Sequence, residues 1–424
     1  MLEPQIQTSD RSPTSLTPSS SRRQSWKRHG GAAILFSLFA NPLFAQKLLS
    51  PEFVAQPIDG DAVTGRLVGF EKSWRITLQA ADRRPFDGID LVSLRRKDRQ
   101  PSASVSGPQV LLANGDRLRA TPNHATQETL RVHSELLGDL EIPLERVQAV
   151  VFHPPSDPAA REGLIGRLTT GKRKHDLVIL ANGDELSGTF LSMDDMSVRL
   201  DGSQGAIEIS RSGIRALVLS SDLISFPLPK ELYAKVYLSD GTELSLVEAW
   251  LTAANLRGRA AVGREVTMPM EQLVAVEFRN GRLTFLSDLE PAAYRHTPYL
   301  GLPFTFQQDR TVTGNLLTLR GEAYRKGIGV HSRSELTYEL NGRYRRFEAT
   351  VGVDDETGGQ GSVVFRVLLD GMSAWESPTL TGQVAPQHVR LDLKGARTIT
   401  LIVDFGTLGD VQDHADWADA KLVR

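Results

Sequence analysis

Cysteine is absent from all 424 residues. That absence excludes disulfides, thiolate metal sites, cysteine nucleophiles and a lipidated cysteine. Charge of one sign is also lacking: the formal net charge is −2, so no overall basic field invites nucleic acid. The G-x-S-x-G, H-E-x-x-H and Walker-type loops of common hydrolases and nucleotide enzymes do not occur. His124, His133, His153 and His175 show no metal-ligand spacing. The apolar run AAILFSLFA (Ala32 to Ala40) is too short to span a bilayer well.

What is present is an ordinary globular composition, 40% apolar and 24% charged, with length enough for two to four domains. Glycine (36) and proline (22) are frequent, which suits many turns and few long helices. Residues 1–45 read as a targeting segment. A polar stretch is followed by Arg22, Arg23, Lys27 and Arg28, the short apolar run, and PLFA ending at Ala45. A positive n-region, a short h-region and a small residue at the cut describe a secretory signal, with an uncleaved anchor as the alternative. SRRQSWK (Ser21 to Lys27) resembles a degenerate twin-arginine signal. These 45 residues hold five Lys/Arg against two Asp/Glu, so the exported chain would carry −5. An exported protein, periplasmic or extracellular and with no membrane span after cleavage, is the expectation.

Self-comparison finds a repeat. VLLANGDRLRA…LEIPLERVQAVVF (110–152), VILANGDELSG…IEISRSGIRALVL (178–219) and VYLSDGTELSL…VTMPMEQLVAVEF (236–278) match, with a weaker copy at 57–96. In each unit a strand enters an Asn-Gly-Asp or Asp-Gly-Thr turn, a hairpin signal that needs positive φ. A second strand, a middle strand and a closing apolar strand follow, so each unit predicts a small curled sheet or SH3/Sm-like barrel of four short strands. The predicted units are 46–97, 109–152, 177–220 and 232–280, with 153–176 as a linker. Uneven linkers disfavour a propeller and favour head-to-tail β modules, some pairing their sheets. Asp116 and Asp184 fall in the turns, where backbone geometry alone wants them; Thr242 in the last copy fits a turn role rather than a metal ligand.

From about residue 290 the texture becomes many short alternating runs, FEATVGV, SVVFRVLLD, VRLDL and TITLIVDFG, with turns at NG, DG and KGA. This predicts an antiparallel β-sandwich. The blocks GEAYRKGIGVHSRSELTYELNGRYRRFEATVGVDDE, GSVVFRVLLDG and DHADWADAKL resemble the NPCBM/NEW2 family, described as a carbohydrate-binding appendage of family 98 glycoside hydrolases and akin to family 51 carbohydrate-binding modules. The resemblance covers residues 290–424. It implies a galactose-binding-like jelly roll that binds glycan without cleaving it.

Sugar recognition needs an aromatic face and fixed hydroxyl partners, which loops at one end of a jelly roll can present. The carbohydrate-binding candidates are His331, Asp354, Glu356, Trp375, Asp413, His414, Asp416 and Trp417, with Asp355 in the same loop as Asp354. Past Trp417 the alternation puts Ala418, Ala420 and Leu422 on one face and Trp417, Asp419 and Lys421 on the other. Asp413 and Asp416 are also candidate ligands for a structural calcium; a lone histidine among acids disfavours zinc. Asp413 and His414 could equally be a hydrogen-bonded clasp fixing the terminal loop. A glycosidase dyad would need two carboxylates at set spacing across a sugar and a catalytic domain, whereas β repeats fill that space. The expected protein is therefore an all-β, non-catalytic glycan binder. Its repeats act as spacer or interaction platform, and protein partners in the envelope or a hydrolase with an unrecognised site are the alternatives.

Overall fold

The computed structural model describes residues 51–100, 106–226, 228–299, 303–407 and 409–424. The signal segment lies outside these residues. The first, third and fourth repeats have five strands rather than four; the second has six, because its second strand breaks at Ala120 into Arg117–Arg119 and Thr121–Ala125. In the first, Glu52–Pro57 pairs with Val63–Phe70, which pairs with Arg75–Gln79 and then Arg83–Asp87. A single 3-10 turn, Gly88–Asp90, carries the chain back so that Leu91–Arg96 lies against Glu52–Pro57. The third unit repeats this order from Asp176–Leu180 to Ile214–Val218, as does the fourth from Tyr233–Leu238 to Leu273–Arg279. The polar residues before each closing strand, such as Glu145-Arg146 or Arg211-Ser212, form this turn. Among the described residues no ladder joins the last two strands of a unit, so each unit is a curled sheet and not a closed barrel.

The units do not stack in sequence order. The closing strand of the first pairs antiparallel with that of the fourth, Leu94 opposite Val276. The second and third do the same, Val150 opposite Leu217. The closing strand of unit four, Leu273–Arg279, is buried on both faces from Leu273 to Phe278, and the other three keep most of their apolar residues buried. The two pairs meet through the hairpins of units two and four. Glu243 lies opposite Arg117, Asp116 accepts from Ser245 N and Oγ (2.8 and 2.7 Å), and Thr242 Oγ1 accepts from Arg119 N. Asp116 is thus buried between units, with burial raising its pKa, whereas Asp184 stays exposed in its turn.

The segment 153–176 is not an extended linker. Asp157 caps a helix, Pro158–Thr169, by accepting from Ala160 N at 2.7 Å, with proline at its first turn. Leu164, Ile165 and Leu168 pack on Leu111, Ala149, Val151, Ala216 and Val218, covering the sheet where units two and three join.

The sandwich begins earlier than residue 290: Leu283–Phe285 already pairs with the last strand. One sheet runs Gln307–Gln308, Gly327–His331, His414–Val423, Arg346–Val353, Gln387–Asp392. The facing sheet runs Ala293–His296, Ser334–Glu339, Thr398–Phe405, Ser362–Leu369, Met372–Glu376. Ile328, Val330, Phe347, Val351, Phe365, Leu401 and Trp417 are among the side chains that fill the space between them. A hairpin, Leu317–Leu319 with Glu322–Tyr324, lies on the outer face of the first sheet. There the sheet offers only small residues. A Cβ on Gly329 would sit 2.3 Å from Arg310 O, and one on Gly352 would touch Leu319 at 3.1 Å.

Candidate functional site

The last strand has a bulge that sequence alternation could not show. Asp419 takes φ +49° and the ladder with Arg346–Val353 slips one residue there. Before it Ala415 and Trp417 face the core; after it Ala420 and Leu422 do. The expected faces are therefore corrected: Trp417 shares the interior with Ala420 and Leu422. It is fully buried, edge-on to Phe365 at 5.0 Å, and presents no surface to a sugar. Asp416 and Ala418 point the other way, yet they too are buried, because the hairpin covers that face.

Asp416 has no N–H or O–H donor to either oxygen among the described residues; its partner is the Asp354 carboxyl. Burial, followed by the nearness of Asp354, pushes Asp416 well above the usual carboxylate range, which favours a proton held between the two carboxyls. Asp354 in turn accepts from Thr318 N (2.7 Å) and Glu356 N (2.8 Å), holding the 3-10 turn Asp355–Thr357 against the hairpin. Asp355 accepts from Arg320 N and Gly321 N. Asp413 is equally enclosed. Ser332 Oγ and Ser362 N donate to it at 2.5 and 2.7 Å, and burial pushes it up to about 6. Asp354, Asp413 and Asp416 are each fully buried.

Calcium gains no support from these contacts: Asp413 is already bonded by Ser332 and Ser362, and among the described residues no group of three or more acidic or histidine side chains is arranged to hold a metal ion.

The accessible rim lies just outside this sealed layer. Glu356 Oε1 meets His414 Nδ1 at 2.7 Å, and Oε2 accepts from Thr311 Oγ1, Thr313 Oγ1 and Asn315 Nδ2 at 3.0, 2.6 and 2.9 Å. Burial opposes the charge on Glu356, but these donors, His414 foremost, outweigh it and hold the carboxyl at about 2. The carboxylate requires the proton on His414 Nδ1, leaving Nε2 as the nitrogen available to an outside group. Both side chains keep 15% exposure. His331 stacks flat on Phe304 at 4.2 Å, with His414 5.6 Å away, and burial lowers its pKa. Beyond it Tyr299 stands 63% exposed, its ring edge-on to Phe405 at 5.5 Å and beside Gly409 of the loop that carries Asp410.

Of the eight sequence candidates, seven gather at this end of the sandwich, five of them sealed. Trp375 does not join them. It lies on the edge strand Met372–Glu376 of the facing sheet, half-buried against the core. Sequence reasoning missed Tyr299, Phe304, Thr313, Asn315 and Asp410. The signal that could have found Tyr299 is an aromatic set in the proline- and glycine-rich stretch TPYLGLP.

Comparison with known proteins bears on the same region. The family model of the NPCBM/NEW2 domain matches residues 282–423. A "Putative endo-alpha-N-acetylgalactosaminidase" of Renibacterium salmoninarum is 36% identical over 110 residues, and "Alpha-1,3-galactosidase B" of Akkermansia muciniphila is 31% identical over 115. Each alignment covers 26% of this chain, but only 7% and 14% of those proteins. Among solved structures, the CBM51 module from Clostridium perfringens GH95 in complex with methyl-galactose is 36% identical, covering 33% of this chain and 99% of that one at a TM-score of 0.31.

Proposed function

We propose, from the premise that residues 282–423 are an NPCBM/NEW2 domain, that this is an exported, non-catalytic glycan-binding protein whose rim of Tyr299, Glu356, His414 and Asp410 engages the sugar. The observation that carries the reading is Tyr299. A ring 63% exposed yet packed edge-on against Phe405 and beside Gly409 is a platform for the C–H face of a sugar, and it costs little entropy to order. At the same end of the sandwich, the Glu356–His414 pair provides hydroxyl partners already oriented by four hydrogen bonds to Glu356. The non-catalytic reading rests on the same carboxyls. A glycosidase needs an accessible acid with raised pKa, whereas at this end of the sandwich the raised ones, Asp413 and Asp416, are sealed, and the accessible Glu356 is held at about 2. The four curled sheets, tied to one another by shared ladders, serve as a rigid spacer or interaction platform.

The names of the two curated relatives suggest α-linked N-acetylgalactosamine and galactose as first probes. On a glycan array the full chain is expected to bind a subset of such glycans. Tyr299→Ala is expected to weaken that binding about tenfold, roughly 1.4 kcal/mol, with unchanged melting. Silence across the whole array would overturn the reading.

A further inference from the structure

The opposite end of the same sheet carries a second feature. Arg345, Arg346, Arg390 and Asp392 line a cleft of about 440 Å³, within the ~300–1,000 Å³ range of small-ligand sites. It opens at the start of the strand Arg346–Val353, whereas the Tyr299 rim lies beyond its end, about 23 Å away at the strand rise per residue.

The three guanidinium groups are not equivalent. Arg346 is buried and committed: it donates to Asp59 Oδ1 (2.8 Å) and Ile58 O (3.2 Å) of the first repeat, with Glu348 at 2.6 Å. Arg345 donates Nη2 to Asp59 Oδ2 (2.5 Å) and Nε to Arg424 O (3.0 Å), which fixes the plane of the group and leaves Nη1 for another acceptor. Arg390 is the least engaged. Its side chain is 70% exposed, and the carboxylate it pairs with among the described residues, Glu348, is 3.6 Å away and already shared with Arg346 and Lys421. On the cleft wall Asp392 has Oδ1 occupied by Lys394 N. Asp59 is thus divided between Arg345 and Arg346, and Glu348 among Arg346, Arg390 and Lys421, and the cleft is lined by one preoriented guanidinium and one free to move.

We infer that Arg345 and Arg390 form an oxyanion subsite for the sulfate or carboxylate groups of an acidic polysaccharide. Guanidinium forks match both oxyanions bidentately, and a net charge of −2 over the whole chain means that any polyanion is held by this local field rather than a global one. The inference rests on the glycan-binding reading above, because a polymer is the ligand that can engage both ends of one domain and gain avidity from doing so.

Affinity electrophoresis of the full chain in gels containing dextran sulfate, polygalacturonate, dextran or polyphosphate tests it. Retardation by either acidic polysaccharide, with none by dextran, is expected; which of the two acts separates sulfate from carboxylate. Arg390→Glu, on an exposed side chain whose neighbour Glu348 keeps Arg346 and Lys421, is expected to weaken that retardation at least tenfold and Arg345→Gln severalfold. Tyr299→Ala is expected to leave it unchanged, so failure of the rim reading on the array and failure here are separate results. Mobility unaffected by both acidic polymers, or equally retarded in both arginine variants, overturns the site. Equal, arginine-dependent retardation by polyphosphate overturns its assignment to polysaccharide.

Discussion

Replacing Trp417 by alanine is expected to lower the unfolding free energy of the sandwich by about 3–5 kcal/mol, the range for truncating a fully buried aromatic. The indole is fully enclosed between the two sheets, edge-on to Phe365 and tilted on Phe347. Its strand, His414–Val423, is the centre of the sheet, paired on one side with Gly327–His331 and on the other with Arg346–Val353. The cavity therefore opens where relaxation is least possible. Trp417→Phe separates packing from polarity. It keeps a ring against Phe365 and deletes an indole N–H that meets no acceptor among the described residues, so it is expected to cost well under half as much. Calorimetry of the full chain measures both. A loss below about 1 kcal/mol for the alanine variant would mean that the indole faces water, which would restore it as a sugar platform.

The residues that make the last third recognisable are, in the structure, mostly packing residues, and this explains how the fold could be legible while the site was not. In GIGVH, Ile328 and Val330 enter the core while Gly329 lets the Arg310–Thr311 backbone lie on the sheet. In VGVD, Val351 and Val353 face inward, Gly352 meets Leu319, and Asp354 ties down the hairpin. Such positions are strongly dictated by sterics, so they stand out in a sequence; a rim residue such as Tyr299 is dictated by nothing local. The repeats divide the same way. Turn chemistry and period-two alternation revealed the hairpins, because both act over a few residues. The nesting of unit one on four and two on three depends on ladders between distant strands, Leu94 with Val276 and Val150 with Leu217, and no local signal encodes it. The helix Pro158–Thr169 announces itself only through Asp157-Pro158; Gly163 and Gly166 weaken its helical pattern, and it exists because Leu164, Ile165 and Leu168 have a sheet to cover.

The sealed acids predict a pH dependence opposite to that of ordinary salt-bridged carboxylates. Asp413 is pushed up to about 6, and Asp416 is raised well above its ordinary value by burial and by Asp354. A carboxyl whose folded pKa exceeds its unfolded value, near 3.9, stabilises fully below that unfolded value, and the contribution is lost as pH rises through the folded pKa. For Asp413 the window runs from about pH 4 to 6 and is worth on the order of 3 kcal/mol. Glu356, held at about 2 by His414, Thr313, Asn315 and Thr311, has the reverse sign: its contribution is present above about pH 4 and disappears toward pH 2. His331, lowered by burial, loses stability as pH falls below its unfolded value near 6.5, which overlaps the Asp413 window. The measurement is therefore a difference. Asp413→Asn keeps an oxygen for Ser362 N, and His331 is common to both proteins, so its slope cancels. In urea titrations the advantage of Asp413→Asn over the parent is expected to grow from about pH 4 to 6 and then level off. Asp416→Asn retains a donor toward Asp354 and is expected to stabilise the chain at pH 8, with no response to added calcium in the parent. If Asp416→Asn instead destabilises at pH 8 and calcium raises the parent's midpoint, Asp416 is an ionised ligand and the proton between Asp354 and Asp416 does not exist.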